Sequence, residues 1–299
     1  MKFATLIKMT RPINVFIAIV TLAIGYFLLG ELPGSEFGIS PATFIFQALG
    51  FAFAISFANI QNDILDLEND KVNRPERPLP SEKISIKVAH ITSIAGLVLT
   101  LSSGIANSVY LHVWSPFLFF TALALLLIFY NVKLKHIPLL KNMTVAFLCT
   151  TPLLLCMLTS TGLPETDEDS LYALTRFALL FPAMSFAFLL TTAREIYKDL
   201  EDEIGDLKAG IMTFPLIAGA KTARNLAGAI IIFTYISIPV PVLQGTYPPL
   251  FLILTGTTLA PCFVYIIKKA HQQKYDRAQK ATKISMFAGL IALIISAAL

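Results

Sequence analysis

Twelve of the 19 acidic residues lie in two short stretches: Asp63, Asp66, Glu68, Asp70, Glu76 and Glu82, then Glu195, Asp199, Glu201, Asp202, Glu203 and Asp206. In a helix advancing about 100° per residue, Asn59, Asp63, Asp66 and Asp70 share an arc of about 60°, as do Glu195, Asp199, Asp202 and Asp206. Glu68 and Glu201 point away from these arcs. The first set requires an unbroken helix as far as about Lys71, which Pro75 permits. Carboxylates three and four apart on one face repel, and more strongly beside lipid, so a cation is expected among them. Magnesium suits hard oxygen donors, with a few carboxylates and substrate phosphates completing its shell. Neither stretch contains the thiolates or imidazoles that favour zinc.

The elements that carry these acids are apolar. The 299 residues are 56% hydrophobic and 14% charged, with a mean hydropathy of +0.71, outside the range of ordinary soluble domains. Nine uncharged or nearly uncharged runs are long enough to approach the thickness of a bilayer: 13–30, 40–62, 88–110, 113–132, 142–164, 170–193, 225–246, 248–267 and 284–299. The connections between them are too short for separate domains, so the expectation is one all-α domain over 1–299, a polytopic bundle of nine transmembrane helices. The basic residues before the first run resemble the start of a signal peptide, but no small-residue cleavage pattern follows. That run reads as a retained helix.

Charge sets an expected orientation. Of the 23 lysines and arginines, 22 fall on the N-terminal tail or on alternate connections, Arg176 being the exception. The remaining connections carry acids, Glu31 and Glu36, then Glu165, Asp167, Glu168 and Asp169. Basic loops stay cytoplasmic, which predicts a cytoplasmic N-terminus, a C-terminus on the opposite side, and both acidic clusters facing the cytoplasm. The Asn142-Met-Thr144 glycosylation pattern then falls on the wrong side. Cys149, Cys156 and Cys262 sit in apolar runs without metal spacing and read as small core residues. The four histidines are scattered.

The stretch Asn62-Asp-Ile-Leu-Asp66-Leu-Glu-Asn-Asp70, continuing through Asn73-Arg74-Pro75-Glu-Arg77-Pro78-Leu-Pro80-Ser81, resembles the first signature of the UbiA-type intramembrane prenyltransferases. Arg194-Glu195 through Lys198, Asp199, Asp202, Gly205, Asp206, Gly210, Thr213 and Pro215 resembles the second. Thr10-Arg11-Pro12-Ile-Asn14 and the segment Tyr130 to Asn142 are similar to that family as well. Glu82 departs from it, since many relatives have glycine there. The resemblance implies a nine-helix bundle around a central cavity, in which a prenyl group passes from its diphosphate to a lipophilic acceptor with magnesium.

Carried over by position, Asn59, Asn62, Asp63, Asp66 and Asp70 would hold one magnesium and Asp199, Asp202 and Asp206 a second. Asp66, Asp70, Asp202 and Asp206 would be the catalytic aspartates. Arg74, Arg77, Lys133, Lys135 and Lys198 would face the diphosphate, and Asn14, Tyr130 and Asn142 the substrate cavity. The two clusters are expected to confront each other. The implied partners are a prenyl diphosphate, a lipophilic acceptor and membrane lipid, without nucleic acid or an obligatory protein partner. The compact chain and its Thr-Arg-Pro-Ile-Asn opening are most similar to the branch that prenylates geranylgeranylglyceryl phosphate in ether-lipid synthesis; aromatic quinone precursors are the alternative acceptors. A CDP-alcohol phosphotransferase is disfavoured by the missing D-G-x-x-A-R core. A transporter is disfavoured because the charges cluster at the interface instead of mid-membrane.

Overall fold

The structure is a computed structural model that describes residues 2–30, 38–161, 167–208 and 210–299. Glu31, Glu36 and Glu165 lie outside the described residues. The chain resolves into two compact units, one of Met1–Leu134 with Pro152–Ala173, the other of Lys135–Thr151 with Leu174–Leu299.

In chain order the first unit carries α1 (Lys2–Met9), α2 (Pro12–Leu28), α3 (Pro41–Leu65), α4 (Leu67–Asn73), α5 (Ile86–Leu111) and α6 (Ser115–Val132). A 3-10 turn over Leu134–His136 leads to α7 (Leu140–Thr161) and the 42-residue α8 (Asp167–Lys208), both of which contribute to each unit. The second unit continues with α9 (Phe214–Ala218), α10 (Ala220–Ser237), α11 (Pro239–Leu243), α12 (Pro249–His271) and α13 (Tyr275–Ala298).

Eight stretches are long and apolar enough to cross a membrane, and the chain is an integral membrane protein. The expected count of nine is not reached among the described residues: the first run forms α2, which is apolar but only 17 residues long. The N-terminal tail also differs from expectation, because residues 2–9 fold into α1.

The pattern of α5 shows why lipid is the solvent. Its buried positions are small or polar, Ala89, Ser93, Gly96, Thr100, Ser103, Gly104 and Asn107. Its large apolar residues, Ile91, Ile94, Val98, Ile105 and Val109, are exposed. Membrane helices associate through small residues that bring backbones close, because apolar side chains gain nothing by leaving lipid tails. Two of the hydroxyls are satisfied within the helix, Thr100 Oγ1 donating to the Gly96 carbonyl at 2.8 Å and Ser103 Oγ to that of Leu99 at 2.8 Å, while Ser93 Oγ donates across to the Phe57 carbonyl of α3 at 3.4 Å. Gly96 packs directly on α3: a Cβ there would lie 3.1 Å from Phe57 Cβ and 3.3 Å from the Phe57 backbone. Gly96→Leu is therefore predicted to push α3 from α5 and to cost about 1–3 kcal/mol. A thermal-unfolding series in detergent that leaves this variant at the parental midpoint would refute the tight packing.

A second contact positions the chemistry. Met9 of α1, Ile60 of α3, Leu79 and Ile84 of the following loop, and Ala89 of α5 form one buried apolar cluster, joined by Leu6, Ile64 and Leu67. It anchors the N-terminal helix and the 74–85 loop beside the end of α3 that carries the first acidic cluster. Within that loop Glu82 has φ 56, the left-handed region where glycine carries no steric penalty. Glu82 holds this conformation with its side chain exposed. Of the cysteines, only Cys156 is buried; Cys149 is exposed and Cys262 intermediate.

Candidate active site

The first cluster lies at the end of α3. The expected unbroken helix is interrupted: Asp66 stands between α3 and α4 with φ −92 and ψ 5. The hydrogen bonds nonetheless bridge the break, Asp66 N donating to the Asn62 carbonyl at 2.9 Å and Asp70 N to that of Asp66 at 2.8 Å. On the same face the Asn62 side-chain amide donates to Asp66 Oδ2 at 2.9 Å. The common face therefore survives the bend, as Arg77 demonstrates by reaching both ends of it. Its Nη1 lies 2.6 Å from Asp70 Oδ2 and 3.6 Å from Asp63 Oδ1.

Arg77 is aimed by the loop that carries it. Ser81 caps the turn, its N and Oγ donating to the Arg77 carbonyl at 3.0 and 2.6 Å. Leu79 is buried in the apolar cluster between these two residues. Arg11 completes the arrangement, with Nη2 3.3 Å from Asp63 Oδ1. Arg11 has φ 52 and ψ 67 at the start of α2, a left-handed conformation uncommon outside glycine, asparagine and aspartate. Asn59, expected as a ligand, donates to the Thr10 carbonyl at 3.4 Å and ties that segment to α3.

The other predicted residues of this unit are distributed. Glu68 points away, exposed and paired with Lys71. Arg74 and Lys133 are exposed, at the ends of α4 and α6, and Asn14 is exposed in the first turn of α2. Tyr130 is half-buried on α6. The neighbouring Asn131 is buried, and its amide donates to the Ala58 carbonyl and to Gln61 Oε1, both at 2.9 Å.

The second cluster lies on α8 and at the start of α7. Asp199 is 4% exposed, with Lys141 Nζ 2.8 Å from one oxygen and the Asn142 amide donating to the other at 2.9 Å. Glu195 is held by Arg194 at 2.9 Å and by Lys198 at 3.4 Å. Asp202 and Asp206 are half-buried. Glu201, as expected, turns aside and accepts from the Gln279 amide. Lys135 is half-buried in the turn that precedes α7.

Two residues that lie within the family-like segments but were assigned no site role thus belong to the clusters: Arg11 on Asp63, and Lys141 on Asp199. Their basic character within those segments was the available signal. Among the described residues no three acids converge closely enough to form a ready metal cage. The donors nevertheless suit magnesium, which takes one or two carboxylates with phosphate oxygens and water. Asp63, Asp66 and Asp70 in the first unit, and Asp199, Asp202 and Asp206 in the second, each supply such oxygens without competing histidine or cysteine.

The site therefore sets buried carboxylates against arginine at a helix end in an apolar, membrane-spanning chain. The profile of the UbiA prenyltransferase family matches residues 15–291, and the chain belongs to that family: it is a prenyltransferase. It is 30% identical over 298 residues to the digeranylgeranylglyceryl phosphate synthase of Thermococcus kodakarensis, covering 99% of both chains. A solved structure of a digeranylgeranylglyceryl phosphate synthase in membranes is similar at TM-score 0.73 and 25% identity, with 99% of this chain and 98% of that one covered. The fold also matches a UbiA homologue from Archaeoglobus fulgidus bound to GPP and Mg2+, at TM-score 0.66 and 17% identity over 97% and 99% of the two chains.

Proposed function

We propose that this protein transfers a geranylgeranyl group from its diphosphate to geranylgeranylglyceryl phosphate, in ether-lipid synthesis, and that the whole chain acts as one catalytic domain. The observation that carries the reading is the pair of buried carboxylate clusters, each already clamped by basic side chains. The acceptor is suggested by full-length relatives that are themselves digeranylgeranylglyceryl phosphate synthases. Each cluster would hold one magnesium ion, the first on Asp63, Asp66 and Asp70 with Asn62, the second on Asp199, Asp202 and Asp206. Bound magnesium supplies Lewis-acid neutralisation of a diphosphate leaving group.

The chain's own residues do the rest. Arg77 and Lys198, held at the carboxylates, place fixed positive charge where phosphate oxygens would collect, so little reorganisation is needed as charge develops. The allylic C–O bond breaks, diphosphate leaves with the electron pair, and the acceptor hydroxyl oxygen bonds the allylic carbon and loses its proton. The apolar helices hold the prenyl chain and keep out water that would capture the cation. The alternation of lysine and arginine supports a cytoplasmic N-terminus and a cytoplasmic face for this chemistry.

The test is to incubate the purified protein with radiolabelled geranylgeranyl diphosphate, magnesium and a panel of acceptors. The expected product is digeranylgeranylglyceryl phosphate, lost with a chelator and restored by magnesium. Labelled product from 4-hydroxybenzoate, dihydroxynaphthoate or homogentisate, with none from the glyceryl phosphate, would move the enzyme to quinone synthesis.

A further inference from the structure

A cavity of about 230 Å³ opens between α1 and the 74–85 loop, beside Asp63 and inside the first unit. Its walls include Lys8, Arg11, Arg77 and Lys83, with Asp63 and Glu76 the acids. A single water needs only about 15 Å³ of such space, so the cavity can take a polar group of several heavy atoms. Its charges divide into two classes. Arg11 and Arg77 are committed to Asp63 and Asp70. Lys8 and Lys83 are exposed and make no ion pair among the described residues. The four cations outnumber the two acids, and the better buried of those acids, Asp63, already has two arginine partners.

The position is as informative as the charge. α1 buries Met9 against α3 while Ile7 on the same short helix is 42% exposed, so the cavity lies where apolar helix surface gives way to charged loop. A ligand seated there would have its anionic head among lysines and its apolar tail beside the helices. Arg11 lines this space with its guanidinium on Asp63, and the Asn59 amide on the Thr10 carbonyl ties the preceding residue to α3.

We propose that this cavity is the subsite for the acceptor's phosphate monoester, with Lys8 and Lys83 as the specificity-determining cations. The proposal rests on the acceptor reading above, and places that acceptor's phosphate beside the donor's diphosphate, with Arg77 and Asp63 on the wall between them and the lysines on the far side. A phosphate monoester carries nearly two negative charges at neutral pH, and each lysine supplies a charge-assisted hydrogen bond. An aromatic acceptor has no use for such a site.

The experiment is steady-state kinetics of the full-length chain and of the Lys8→Gln, Lys83→Gln double variant, in nanodiscs with and without anionic lipid. Both lysines are exposed and outside the carboxylate clusters, so folding and kcat at saturating acceptor are expected to persist. The KM for geranylgeranylglyceryl phosphate is expected to rise about tenfold or more, in both kinds of disc. The KM for geranylgeranyl diphosphate should stay where it was, as should that for geranylgeranylglycerol, which lacks the phosphate. Equal rises for donor and acceptor would overturn the subsite, showing a general field on anions. So would a rise confined to discs with anionic lipid, which would assign the lysines to bulk headgroups. An unchanged acceptor KM sinks the subsite while leaving the acceptor reading intact. Failure of the unaltered chain to use the glyceryl phosphate at all would defeat that reading first, and the subsite with it.

Discussion

Asp66→Asn and Asp202→Asn each reduce prenyl transfer by at least about a thousandfold while the protein remains folded. The expected size follows from the several kcal/mol that a metal contributes to leaving-group stabilisation, at about 1.4 kcal/mol for each factor of ten. These two positions are chosen because their neighbours make worse tests. Removing Asp63 or Asp70 would take a partner from Arg77, whose side chain is only 23% exposed. Inactivity there would mix lost chemistry with a disturbed loop. Asp202 is half-buried on α8, one turn beyond the Asp199 pair. Asparagine keeps shape and an oxygen while removing the charge that makes a carboxylate a strong magnesium ligand. Full turnover by either variant, with magnesium present and a parental unfolding midpoint, would remove that residue from the site.

The second large effect is on stability. Lys141 and Asp199 form an ion pair at 2.8 Å with side chains 18% and 6% exposed, so neither charge is well solvated. Taking away one member of such a pair leaves an uncompensated buried charge, at a cost of about 3–5 kcal/mol. Lys141→Met is therefore predicted to lower the unfolding midpoint by roughly 10 °C, given about 2–4 °C per kcal/mol for a chain of this size or somewhat smaller. Asn142, with its amide on the other oxygen at 2.9 Å, offers a dipole where a full charge was. Magnesium gives the prediction a second edge. If Asp199 is a metal ligand, millimolar magnesium restores much of the lost stability to Lys141→Met and adds less to the parent. A midpoint indifferent to magnesium in both proteins would take Asp199 out of the ligand set, whatever the size of the initial drop.

Helical periodicity made the acidic faces legible in advance, because residues three and four apart must share a side wherever the helix persists. It identified Glu68 and Glu201 as outward-facing, and both are paired away from the clusters. What periodicity could not anticipate was the break at Asp66, whose φ −92 and ψ 5 leave the helical region while the flanking backbone hydrogen bonds continue. Nor could it supply partners distant in sequence. Arg11 meets Asp63 across 52 residues and Asn142 meets Asp199 across 57.

Composition alone determined that this chain lives in a membrane, and helical spacing determined which carboxylates share a face. Both are properties of residue type and local geometry, which a chain carries before it folds. Only the tertiary structure decided which cation sits on which carboxylate. That choice was made by non-local packing: Met9, Ile60, Leu79 and Ile84 bury one another and so bring α1, the end of α3 and the 74–85 loop together. The same packing opened the lysine-lined cavity beside Asp63. No local pattern encodes such a space, because its walls come from three segments that meet only once their apolar faces are buried.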